Sequence, residues 1–157
     1  DVLMNLGVAA EASAKYDIAE DYFNRCLAIR KTLKVNDDLA DVYNHLATLK
    51  LGQSDMETAL QFAKSSLNFA LKSSTDNLVY DSISTIGTIY IQQDKLSDGL
   101  KLFTFLAYAS DIPEKLQDTA ERQVMGFEVK LSDDEFENAW VAGKSLTLEQ
   151  LTTSLLA

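Results

Sequence analysis

The side chains able to do chemistry are few and scattered. His45 is the only histidine and Cys26 the only cysteine among 157 residues. One imidazole and one distant thiol fall short of the ligand sets that hold zinc. His45 also has no evident nucleophile partner for Ser-His-Asp or Cys-His chemistry. Asp133, Asp134, Glu135 and Glu137 would be hard oxygen ligands for a cation. They fall on one short helix, fan around it, and lack the glycine spacing of a calcium loop. They read better as a helix start, where carboxylates suit the positive end of the dipole. Neither G-x-x-x-x-G-K nor G-x-G-x-x-G occurs, so no loop is built to cradle phosphates. The expectation is a chain without catalytic, cofactor-binding or metal residues.

Composition narrows the partners. A formal charge of −10, from 24 acidic against 14 basic residues, opposes nucleic-acid binding, which needs clustered Lys and Arg. Anionic membrane surfaces are disfavoured on the same ground. No apolar run is long enough to span a bilayer, and the N-terminus lacks the basic start of a signal peptide. A single cysteine excludes an internal disulfide framework and fits the reducing cytoplasm; Cys26 reads as a small buried residue. The absence of an initiator Met suggests a piece of a longer protein. Six Gly, one Pro and 46% hydrophobic residues favour helices over strands.

The elements recur. Leu6-Gly7, Leu46-Ala47 and Ile86-Gly87 stand 40 residues apart without gaps. In the same register fall Ala10, Lys50 and Tyr90; Tyr16, Met56 and Leu96; Ala19, Ala59 and Gly99; Phe23, Ala63 and Phe103; and Cys26, Ser66 and Leu106. Small columns mark places where two helices cross closely, and bulky columns fill the space between hairpins. First helices are expected over about 1–14, 38–52 and 76–93, and second helices over about 17–34, 55–72 and 95–109. Asp17, Asp55 and Asp94 fall in the turns before the second helices or in their first turns. Gly52 is expected to end a first helix. Asn36-Asp37-Asp38 and Ser73-Ser74-Thr75-Asp76 read as loops between hairpins. Beyond Ala109 the period stops. Pro113 opens a helix of about 113–130, and Ser132–Glu135 and Thr147–Gln150 have capping-box spacing for two short helices.

These patterns resemble the tetratricopeptide repeat. Its first-helix signature is echoed by Ile83-x2-Ile86-Gly87-x2-Tyr90 and by Leu3-x2-Leu6-Gly7, and its second by Ala19-x3-Phe23 and Gly99-x3-Phe103. The middle unit departs, with Lys50 for the aromatic and Ala63 for the Phe. The resemblance implies an all-α helical-hairpin solenoid of three repeats of ~40 residues, over 1–36, 37–75 and 76–110, closed within the same domain by capping helices over 111–157. A second resemblance lies in Leu131-x4-Phe136-x2-Ala139-Trp140-x2-Gly143-Lys144-x-Leu146-Thr147-Leu148-Glu149. It is similar to the closing motif of bacterial multidomain signal-transduction ATPases, adenylate-cyclase-like ATPases and LuxR-type or MalT-like activators. Ser132-Asp133-Asp134 stands where a Gly commonly opens that motif. Trp140, four residues from Phe136, is expected to pack the cap onto the preceding helix.

The tetratricopeptide resemblance also implies a groove, lined by Asp1, Met4, Val8 and Glu11, then Asp41, Asn44, Thr48 and Leu51, then Asp81, Ser84, Thr88 and Ile91. It holds no Lys or Arg, which argues against clamping a C-terminal carboxylate. The column Asp1, Asp41, Asp81 would suit a basic or amine-bearing ligand. The plainer account is that each Asp favours the first turn of its helix. The best candidates are Asp41, Asn44, Thr48, Asp81, Ser84 and Thr88. The expected function is a non-catalytic interaction or sensor module at the C-terminal end of a larger ATPase or transcriptional regulator; the alternative is a self-contained adaptor that binds a peptide in the groove. Its partner would be a protein, a peptide or an upstream domain of the same protein. An exposed first hairpin would also permit self-association.

Overall fold

The computed structural model describes residues 2–33, 36–73 and 75–157. Asp1, Lys34 and Ser74, which the sequence reading placed in the groove, a helix end and a loop, lie outside the described residues. Among those described there are nine helices and no strand: α1 (Val2–Ala12), α2 (Tyr16–Leu33), α3 (Asn36–Gly52), α4 (Met56–Ser73), α5 (Asp76–Gln92), α6 (Leu96–Tyr108), α7 (Glu114–Phe127), α8 (Asp133–Ser145) and α9 (Leu148–Leu156). The fold class is all-α and of the helical-hairpin kind expected. The chain forms two compact units, Asp1–Val79 and Tyr80–Ala157, with α5 beginning in the first and continuing in the second.

The 40-residue period is written into the turns. Ala14, Ser54 and Asp94 adopt φ values of 55°, 62° and 61°. At each turn the next amide reaches back to the same carbonyl: Lys15 N to Ala10 O, Asp55 N to Lys50 O and Lys95 N to Tyr90 O, all 2.9 Å. This closure satisfies carbonyls that a helix end leaves open. The left-handed residue in each case is not glycine, at a cost of about 1–2 kcal/mol. Gly52 ends α3 as expected, and the left-handed position two residues beyond it is Ser54. Gly52 also gives room to the Tyr16 ring, 3.4 Å from where a Cβ would sit. The loop expected at Asn36-Asp37-Asp38 is corrected, because α3 starts at Asn36. Asn and Asp favour loops and helix starts alike, so composition does not separate the two.

In the first unit the core runs from Met4 and Ala10 through Ala19, Phe23 and Leu27 to Leu39, Val42, Leu46 and Leu49. The fully buried Phe23 ring occupies the place a Cβ on Gly7 would take. Where α4 carries Ala63 in place of a Phe, α3 carries Ala47 in place of a Gly, and both are fully buried. The departures of the middle hairpin thus compensate each other in volume. Tyr43 stacks on Phe69 at 5.6 Å between ring centroids and lies 6.0 Å from Phe62.

In the second unit Phe103 repeats the arrangement against Gly87, 2.9 Å from a Cβ there. Helix α6 is buried at Gly99, Leu100 and every position from Leu102 to Ala107, and both α7 and α8 pack on it. From Leu102 to Ala107 the helix is buried on every side, as befits a segment at a centre. Gly143 of α8 lies on α6 so closely that a Cβ would meet the Lys101 carbonyl and stand 2.8 Å from Thr104 Cβ. Helix α7 ends at Phe127, three residues early, where its carbonyl accepts from Lys130 N at 2.9 Å and Leu131 N at 3.1 Å. Both capping boxes form, Ser132 with Glu135 and Thr147 with Gln150.

Candidate functional face

Helix α3 sets Asp41, Asn44 and Thr48 at spacings of three and four, which places them on one side of the helix. All three are half-buried. Asp41 is the sixth residue of a helix that starts at Asn36, past the reach of the N-terminal dipole. Asp81 stands likewise in α5, which starts at Asp76. The first-turn explanation of the Asp column is therefore set aside for both. Asp41 stands among side-chain contacts instead.

Those contacts form a chain across three helices. The Thr48 hydroxyl lies 2.9 Å from Glu11 Oε1 of α1 and 2.9 Å from the His45 carbonyl oxygen, sharing its one proton between them. Glu11 Oε2 is 3.5 Å from His45 Nδ1, and Asp41 Oδ1 is 3.8 Å from His45 Nε2. Asp41 Oδ2 stands 3.8 Å from Arg30 Nη1, whose guanidinium donates to the Asp38 carbonyl at 2.6 Å. The Phe23 ring lies against the imidazole at 5.3 Å. Arg30 is buried, as a guanidinium tolerates when its donors are engaged. Beneath it Cys26 is buried, and burial raises its thiol pKa while Arg30 opposes that shift.

His45 is thus part of this face, which the sequence reading did not foresee. A signal existed, since Asp41 and His45 are four residues apart on one helix. Its neighbours here are two carboxylates, a hydroxyl and a phenyl ring. The arrangement offers half-buried carboxylates to a cationic group, with His45 and Arg30 holding their orientation.

The second set, Asp81, Ser84 and Thr88, repeats the spacing on α5. All three are half-buried, and the Thr88 hydroxyl donates to the Ser84 carbonyl at 3.0 Å. Elsewhere Trp140 lies edge-on to Tyr108 at 5.9 Å, with Lys144 over both rings at 4.6 and 4.7 Å. Trp140 therefore meets the end of α6, where α7 was expected. Glu135 serves the capping box, and accepting from Ser132 lowers its carboxyl pKa. Among the described residues no group of three or more His, Cys, Asp or Glu is placed to hold a metal, and no helix is long and apolar enough to cross a membrane.

Comparison with known proteins agrees with the hairpins of the first unit. Residues 1–72, a little under half of the chain, match the family model described as Tetratricopeptide repeat. No curated protein and no solved structure gives a match. Residues 1–72 are therefore similar to the tetratricopeptide repeat, whose helical hairpins generally serve as protein–protein interaction modules.

Proposed function

We propose that this chain is a non-catalytic module that binds a protein or peptide, cytoplasmic in setting, and that the face of α3 bearing Asp41, Asn44 and Thr48 belongs to the contact surface. The observation that carries the reading is the pair of phased hairpins in residues 1–72 that match an interaction repeat. Half-buried carboxylates at Glu11 and Asp41 favour a partner rich in Lys or Arg. Asp81, Ser84 and Thr88 offer the same residue types on α5.

Panning a random peptide library on the chain tests this. Enriched peptides should be basic, and Asp41→Lys with Asp81→Lys should abolish their binding at unchanged helicity. Equal binding by that variant would remove the face from the proposal.

A second reading makes the chain the sensor region of a larger bacterial ATPase or transcriptional regulator. It rests on the closing motif, whose Gly143 and Trp140 seat α8 on α6. It requires a nucleotide-binding domain upstream in the same gene. An open reading frame without one would sink this second reading and leave the first standing.

A further inference from the structure

We propose that the second unit holds a separate pocket for a small zwitterion with an apolar side chain, of the class of free aliphatic α-amino acids. Helices α5, α6, α8 and α9 surround a cavity of about 480 Å³, within the range of small-ligand sites. One part of its lining is apolar: half-buried Ala142 and Leu146, together with the edges of Leu102, Leu151 and Leu155. Another part is charged. Lys101 Nζ lies 3.2 Å from Asp98 Oδ1, and the two side chains are 36% and 55% exposed. Tyr90 completes the polar part. Burial, and then the nearby charge of Asp98, raise the pKa of its phenol.

Adjacent opposite charges beside an apolar wall select a ligand built the same way. An α-ammonium would take Asp98 and an α-carboxylate would take Lys101 and the Tyr90 hydroxyl. An aliphatic side chain would then lie on the leucines. A ligand carrying only one charge opens the Asp98–Lys101 pair and leaves one member unmatched, which costs affinity. The preference for a zwitterion is therefore a difference between competing ligands. The pocket shares no residue with the α3 face and does not rest on the function proposed above.

The 157-residue chain would be titrated with L-leucine and followed by proton–nitrogen correlation spectra. Isocaproate, which lacks the ammonium, and isoamylamine, which lacks the carboxylate, serve as comparators. Leucine should give saturable shifts centred on Ala142, Leu146 and Leu155, and each comparator should bind about tenfold more weakly or worse. Asp98→Asn and Lys101→Met should weaken leucine to a similar degree. Both residues are partly exposed, so these variants should keep the fold. Ser154→Trp, which fills the cavity and leaves the charges alone, should abolish the shifts. The proposal is overturned by comparators that match leucine, by shifts centred elsewhere, by no saturable shift at all, or by variants that bind as well as the parent.

Discussion

The two units solve the same packing problem with different chemistry. In the first, polar side chains tie neighbouring helices together. Lys50, which replaces the aromatic of the repeat, sends its ammonium to Glu20 at 2.7 Å and to Gln53 at 3.0 Å, and only 15% of the side chain is exposed. Thr48, His45, Asp41 and Arg30 add the chain described above. Both units seat a phenylalanine over a glycine, Phe23 on Gly7 and Phe103 on Gly87, but in the second a further glycine, Gly143, rests on the α6 backbone. Contact without a Cβ is rigid because backbone does not yield, whereas an ion pair tolerates small shifts. The first unit therefore keeps a polar, adjustable face, and the second is the more sharply shaped of the two.

The largest expected effect is that of Phe103→Ala, on the contact the two units share. It empties a fully enclosed site beside Gly87 and should cost about 3–5 kcal/mol in denaturant unfolding. Gly143→Ala comes next. Its methyl would press on the Lys101 carbonyl, so a loss of about 1–3 kcal/mol is expected. Gly126→Ala is its control, since nothing lies within 4 Å of a Cβ there; that change should stabilise α7 by about 0.5–1 kcal/mol. If both glycines respond alike, close backbone approach is not what shapes the second unit.

In the first unit, a double-mutant cycle on Lys50→Met and Glu20→Gln should give a coupling of about 1 kcal/mol that shrinks with added salt. No coupling would mean that the ion pair is incidental and the first unit is held by its core alone. The smallest effect concerns pH. Glu135 has a lowered carboxyl pKa because it accepts from Ser132. Its contribution is therefore present above the ordinary carboxylate range and is lost as pH falls through the lowered value. Glu135→Gln should remove that part of the acid-side fall in melting temperature.

Much of the fold was legible because the 40-residue offset locates one helix pair from another, and small and bulky columns show which faces meet. Where the reading failed, local composition had two uses. Asn36-Asp37-Asp38 suits a loop and a helix start equally. Gly52 does end its helix, but the left-handed residue of the turn is Ser54, and serine gives no warning of that conformation. The contacts of the α3 face were less visible. Asp41 and His45 share a helix and could have been paired, but Glu11 and Arg30 reach them from other helices, and no local spacing encodes that.

The recurring turn also governs how this chain tolerates gain or loss of length. Removing residues 15–54 would join Ala14 to Asp55 and rebuild the same turn, because Asp55 N would find the Ala10 carbonyl where Lys15 N had been. A deletion that is not a multiple of forty would start the next helix out of phase and turn its apolar columns away from their partners. Forty residues are thus the quantum in which this architecture can be copied or pruned. Each copy must still match glycine to phenylalanine: in the shortened chain Gly7 would be paired with Ala63, leaving empty the volume that Phe23 now fills.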